Sequence, residues 1–212
     1  MGKVYAAITA DIVGSRQLPE FRKLRDRKLL PVSKRHMSEG LLLSDYAITA
    51  WDEFQAILSQ TEYIPRIVLD LRRLFHPLEL WIAVGIGEVS GAYRKPVNVF
   101  SGGQAFERAR EAADQLKGKS GKFRVLTRIR SGNPLFNSVA NTLYDLHDSL
   151  IANVTQKQWE TINAYMEVRQ QEAAARKLKL DVSTVSRNLK RGHYWEMQET
   201  RETVELLIKS YF

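Results

Sequence analysis

The sequence predicts an α+β fold, a sheet with covering helices, followed by a small all-α helix-turn-helix unit. Three observations predict it. Two nearly uninterrupted apolar runs, residues 4–13 (VYAAITADIV) and 78–89 (LELWIAVGIGEV), suit central strands covered on both faces. Around them, segments of helical and strand-like spacing alternate in the order strand, helix, hairpin, helix, strand, helix, strand. Residues 171–194, QEAAARKLKLDVSTVSRNLKRGHY, then read as two short helices meeting at a sharp angle. The predicted boundaries are residues 1–131 for the first domain, 132–153 for a linker and connecting helix, and 154–212 for the helix-turn-helix domain.

The first strand ends in Gly14-Ser15, with Asp11 at its carboxyl end. A carboxylate in a buried strand calls for a cation, a metal ion or several hydrogen bonds; a turn-capping Asp is the plainer alternative. Residues 19–39 are strongly charged and helical, with Pro31 starting a second piece or kinking the first. From residue 22 to 35, Arg22, Lys23, Arg25, Arg27, Lys28, Lys34 and Arg35 face Asp26 alone. That pattern predicts a solvated face, a second phosphate-binding surface being the sharper option.

Residues 41–49 alternate as a strand, Ala50-Trp51-Asp52-Glu53 interrupts, and residues 54–58 resume the apolar pattern, which predicts a hairpin. Residues 61–75 put Ile64, Ile67, Val68, Leu71, Leu74 and Phe75 on one helical stripe for covering the sheet, with Pro65 in the first turn. In the second long strand, Gly85 and Gly87 mark backbone that something approaches closely. Ser101 is placed to cap a helix whose inner face is Ala105, Ala109, Ala112, Ala113 and Leu116, and residues 122–129 form a last strand.

Ser131-Gly132-Asn133-Pro134 breaks any regular element and serves as the linker. A helix over residues 137–153 shows Val139, Leu143, Leu146 and Leu150 at roughly helical spacing. Thr155 and Gln158 form a capping box for the next helix, whose Trp159, Ile162 and Met166 pack behind the helix-turn-helix. Ala174, Ala175 and Leu178 line the first helix of that motif, Leu180 sits in the turn, and Val185 and Leu189 line the second. Ala175 is small where two helices cross. Asp181 is the predicted N-cap, accepting from the backbone N–H of Ser183 or Thr184, and Gly192 the C′ residue. Beyond it, Val204, Leu207, Ile208 and Tyr211 form a stripe opposite Glu196, Glu199, Glu202 and Glu205. We expect the stripe to close the small domain's core rather than to pair with a second copy.

The second helix of the motif shows solvent Ser183, Thr184, Ser186, Arg187, Lys190 and Arg191, residue types that reach base edges and phosphates. From residue 169 to 191, seven basic residues stand against Glu172 and Asp181, a local charge of +5. The partner this predicts is double-stranded DNA, with a packing or dimerisation module as the alternative; a dimer would read a palindromic site. The motif resembles the helix-turn-helix of bacterial transcription regulators, departing at Lys179, where the turn usually carries glycine. The whole chain has a net charge of +8 and a pI near 9.7, which favours polyanionic partners. It has no cysteine, which excludes structural disulfides and thiolate metal sites and suits a reducing cytoplasm. No apolar run is long enough for a membrane span, and His36, His76, His147 and His193 are scattered without ligand spacing. A cytoplasmic protein is expected.

The element order, with an Asp after the first strand and another in the hairpin, resembles over roughly residues 3–130 the ferredoxin-like palm domain of class III nucleotidyl cyclases and GGDEF proteins. In those enzymes two acidic positions hold paired divalent cations. The resemblance implies Asp11 and Asp52 as ligands of Mg²⁺ or Mn²⁺, with Ile12 and Val13 offering backbone groups. The wider pattern ITADIVGSR, ITAWDEFQAIL, VGIGEV, SGGQAFERAR and a C-terminal helix-turn-helix looks most like the SatD family over nearly the whole chain. Trp51 stands where cyclases have glycine, Glu107 where they have an Asn that neutralises developing charge, and Arg110 falls one residue early. These departures favour a degenerate palm-like domain that senses a nucleotide or small-molecule effector. A metal-dependent nucleotidyl cyclase acting on a nucleoside triphosphate is the competing reading, and an interaction module with both sites vestigial is a third.

Overall fold

The computed structural model describes residues 3–17, 20–90, 102–118 and 125–212. The two apolar runs form the middle of one sheet. Its strands are β1 (Tyr5–Ile12), β2 (Ala47–Ile48), β3 (Glu53–Leu58), β4 (Leu80–Gly87) and β5 (Thr127–Arg130), in the order β2-β3-β1-β4-β5. β1 runs antiparallel to both β3 and β4, and β5 parallel to β4. The helices are α1 (Phe21–Ser38), α2 (Ile64–Phe75), α3 (Gln104–Gly118), α4 (Pro134–Ile151), α5 (Gln156–Val168), α6 (Gln171–Leu178), α7 (Val182–Arg191) and α8 (Tyr194–Tyr211).

Both faces of the sheet are covered, which is why β1 and β4 read as continuous apolar runs. On one face Ile8 and Ile12 of β1, Phe54 of β3 and Val84 of β4 pack with Ile64, Ile67, Leu71 and Phe75 of α2. On the other, Ala7 meets Ala105 and Ala109 of α3, and Ala83 meets Ala112 and Leu116. The element that approaches the β4 glycines is α3: a Cβ at Gly85 would lie 1.9 Å from the Ala105 carbonyl oxygen and 2.3 Å from the Ala109 nitrogen. The alanine face of α3 and the bare backbone of β4 are two halves of one close contact.

Several expectations are corrected. Of residues 41–49 only Ala47–Ile48 is regular strand; before it Leu42 makes an isolated antiparallel bridge to Leu58, and Leu41, Leu42 and Tyr46 enter the core. Helix α1 continues through the exposed Pro31, which therefore starts no second piece. Its basic run is not all solvated. Arg25 is buried and donates to the Trp51 carbonyl at 2.6 Å, while Lys28 donates to the carbonyls of Leu74 (2.8 Å) and His76 (3.1 Å). Burial lowers the Lys28 pKa, and the charge of Arg27 adds to that. On α4 the buried face is Phe136, Ala140, Tyr144, His147, Asp148 and Ile151, whereas Val139, Leu146 and Leu150 of the expected stripe are exposed. The helix turns its polar His147 and Asp148 inward, Asp148 to meet Arg72 and His147 beside Asp148, so hydrophobicity alone gives its phase wrongly. The Val204 and Ile208 stripe of α8 joins the sheet's core rather than that of the small helices, with Leu207 packed against it. Ser101 and residues 122–124 lie outside the described residues.

Candidate nucleic-acid interface and acidic cleft

Helices α5, α6 and α7 close on one another around Trp159, Ile162, Ala174, Ala175, Val185 and Leu189, all buried. Local sequence sets each boundary. Helix α5 opens with a capping box in which Thr155 Oγ1 accepts from the Gln158 N–H and Gln158 Oε1 accepts from the Thr155 N–H at 2.8 Å. It ends on Arg169 in the left-handed region, φ 57°. Helix α6 ends on Lys179, also left-handed at φ 56°, with the Leu180 N–H reaching back to the Ala175 carbonyl at 3.0 Å. The position usually held by glycine thus keeps glycine's conformation with a lysine in it.

Asp181 is the N-cap residue of α7, but its side chain makes no capping bond; its backbone carbonyl accepts from Thr184 (3.0 Å) and Val185 (3.1 Å) instead. Gly192 follows α7 at φ −85°, so its need for glycine is packing, not handedness: a Cβ would lie 2.9 Å from the Asn188 carbonyl oxygen and 3.0 Å from Ile162 Cδ1. The left-handed residue is the next one, His193, φ 55°. A cross-brace that periodicity did not show is Asn188 Nδ2 donating to Thr161 Oγ1 at 3.0 Å, which fixes the roll of α7 on α5.

With Val185 and Leu189 buried, α7 exposes Ser183, Ser186, Arg187, Lys190 and Arg191, and Thr184 is half-buried at the edge of that face. All six predicted residues lie on one helix of ten residues. Leu180 and Val182 flank them in solvent.

The second site is a cleft of about 190 Å³ between the sheet and α3, lined among others by Thr9, Glu53, Gln55, Arg110, Asp114 and Lys117. Register brings it together: Asp11 sits opposite Glu53 in the β1–β3 ladder, and the Ile12 N–H reaches the Asp52 carbonyl at 3.3 Å. Asp11 Oδ2 is paired with Lys117 Nζ at 2.7 Å, and Asp52 Oδ2 accepts from Ser15 Oγ at 2.5 Å. Burial raises the Asp11 pKa, and the charges of Asp52 and Glu53 add to that against the opposing Lys117. Lys117 is itself raised, first by its hydrogen bond to Asp11. Asp11, Asp52 and Glu53 therefore form one electrostatic cluster around an ammonium group.

Mg²⁺ or Mn²⁺ would have to displace Lys117 from Asp11 and Ser15 from Asp52, and among the described residues no group of three or more metal-ligating side chains is assembled. The backbone N–H groups of Ile12 and Val13 are already used, the latter on the Glu79 carbonyl at 2.9 Å. Trp51 and Glu107 do not line the cleft and both are exposed, whereas Arg110 lines it. No helix among the described residues is long and apolar enough to cross a membrane.

A mixed α/β sheet with a basic helical unit at its C-terminal end defines the class of chain. The SatD family profile matches residues 5–207, and the chain belongs to that family. None of the curated proteins matches it significantly. Among solved structures, the regulator of polyketide synthase expression from Bifidobacterium adolescentis is similar over 99% of this chain and 81% of its own length, at 15% identity and a TM-score of 0.31.

Proposed function

We propose that this SatD-family chain is a bacterial, cytoplasmic transcription regulator. In this reading α5 to α7 form a helix-turn-helix domain that docks on double-stranded DNA, and the sheet with its helices is a degenerate, palm-like sensor domain. The observation that carries the reading is the split character of α7: Val185 and Leu189 are fully inside while Ser183, Ser186, Arg187, Lys190 and Arg191 stand in solvent. Such a helix presents hydroxyls for base edges and cations for phosphates without unfolding anything. The strand order β2-β3-β1-β4, antiparallel throughout, is that of a split βαβ fold and supports the palm-like part. A homodimer reading two half-sites is the corresponding assembly. Selection of bound fragments from random and genomic DNA at graded salt tests the proposal; absence of any enriched sequence together with no binding at low salt refutes it.

A second reading has a specific observation behind it. The clustering of Asp11, Asp52 and Glu53 beside Lys117 and Arg110 is the kind of acidic and basic surround a nucleotidyl cyclase uses on a nucleoside triphosphate. Incubation of ATP and GTP with the chain and Mn²⁺ decides it: cyclic product formed by the wild type and lost in Asp52→Ala makes the enzyme reading correct.

A further inference from the structure

A larger cavity than the acidic cleft lies where the sheet's helices meet the small helical unit. It measures about 430 Å³, within the range of small-molecule sites, and its walls come from α1, α2, α5 and α8. Arg35, Arg66, Arg73, Arg169 and Arg201 line it. Against these five guanidinium groups stand Glu39, Asp70 and Glu167, leaving an excess of two positive charges.

The carboxylates are already divided. Asp70 takes Arg35 at 3.0 Å, Arg73 at 2.8 Å and His36 at 3.2 Å. Glu39 takes Arg66 and, at 4.0 Å, Arg35. Glu167 is turned to Lys177. Arg201 pairs along its own helix with Glu202 and Glu205, and Arg169 donates to the Tyr194 hydroxyl at 3.2 Å rather than to a carboxylate. Each guanidinium carries five N–H donors, so donor capacity far exceeds what these partners accept. Among the described residues, two buried donors on lining residues have no hydrogen-bond acceptor: Arg35 Nε, which stands 4.0 Å from Glu39, and Gln198 Nε2.

We propose that this cavity binds a small phosphorylated metabolite, up to about mononucleotide size. A phosphate brings close to two negative charges and three acceptor oxygens, which matches the excess of guanidinium groups lining the cavity. Leu69 and Met166 on the same wall supply an apolar surface for the organic part. The ligand would bridge the two halves of the chain, because Arg73 and Arg66 belong to α2 over the sheet while Arg169 is the left-handed residue between α5 and α6. Binding itself does not rest on the DNA reading; only its regulatory consequence does.

The test is calorimetric titration of the full chain with AMP, inorganic pyrophosphate and, as a carboxylate control, citrate. AMP or pyrophosphate is expected to saturate one site, and Arg169→Gln and the partly exposed Arg66→Gln are each expected to weaken it about tenfold or more. Arg187→Gln and Lys190→Gln on α7 should leave it unchanged. Retained cooperative melting certifies that the cavity variants are folded. No heat with either phosphate at millimolar concentration overturns the proposal, as does binding that survives both cavity variants or that disappears in the α7 variants instead. Citrate binding as tightly as AMP overturns the phosphate class. No DNA is present in the titration, so a chain that fails to bind DNA still answers it.

Discussion

The Nε of Arg72 in α2 faces the Oδ1 of Asp148 in α4 at 3.6 Å, and both side chains are buried. Around them Arg72 donates to the Leu80 carbonyl and to Thr127 Oγ1 at 2.8 Å, and Asp148 Oδ2 accepts from the Leu126 N–H at 3.0 Å. The pair thus ties α2 and α4 to the β4–β5 edge. Burial alone would raise the Asp148 pKa, but Arg72 and His147 hold it below its ordinary value.

Removing one member leaves the other charge buried without compensation. Asp148→Ala should therefore lower stability by about 3–5 kcal/mol, read as a shift of the urea midpoint. Arg72→Met combined with Asp148→Asn should cost clearly less, because the amide still accepts from Leu126 and no charge is stranded. A double variant as unstable as Asp148→Ala would show that volume, not charge, governs the site.

Acid should loosen the α1–α2 contact through Asp70. Burial favours its neutral form, yet the hydrogen bond from His36 and the charges of Arg73 and Arg35 outweigh that and hold its pKa at about 2, against an ordinary 3.8. A carboxyl depressed in the folded state contributes stability that is complete above the unfolded pKa and is lost as pH falls toward the folded one. About 2 kcal/mol should thus disappear between about pH 4 and pH 2. Denaturant midpoints across that range should fall less steeply in Asp70→Asn. An acid limb unchanged by the substitution would assign the loss to other carboxyls.

How far the sequence was legible depends on whether a contact is local or apolar. The capping box at Thr155 and Gln158, the stripe of α2 and the close approach at Gly85 all follow from spacing or residue size, and each is present. The phase of α4 was not legible because its inner face includes His147 and Asp148, which their polarity assigns to the surface until Arg72 is known to meet Asp148 and Asp148 to meet His147. The pairing of Asp11 with Lys117 and the gathering of arginines from α1, α2, α5 and α8 join residues far apart in the chain, and no periodicity encodes such meetings. The outward face of α7 was legible because its two buried positions, Val185 and Leu189, fix the roll of a short helix.

Lys179 holds a left-handed conformation, φ 56° and ψ 46°, in which its Cβ crowds the backbone. Glycine adopts this region freely, so Lys179→Gly should stabilise the chain by about 1 kcal/mol despite glycine's greater entropy when unfolded. The same substitution inside α6, at exposed Arg176, should destabilise by a similar amount, about 1 kcal/mol. Thermal midpoints that fall for both variants would mean that the lysine side chain makes a stabilising contact outweighing its strain.

Two exposed cations of α7, Arg187 and Lys190, should act differently in the proposed function. Arg187 lies near the middle of the helix, beside Ser183 and Ser186, where a planar fork can reach a base edge. Lys190 lies in the last turn, where a point charge meets a phosphate. Arg187→Ala should then cost about 1–3 kcal/mol on a selected sequence and little on random DNA, relaxing preference at one position. Lys190→Ala should weaken every sequence alike and reduce the slope of log affinity against log salt by about 1. Neither change should move the thermal midpoint by more than about 0.5 kcal/mol equivalent, because neither side chain touches the buried core. Anisotropy titrations with selected and scrambled duplexes at several salt concentrations measure all of this. Equal, sequence-independent losses for the two variants would make α7 a nonspecific electrostatic surface, and no loss for either would remove DNA from the account of this helix.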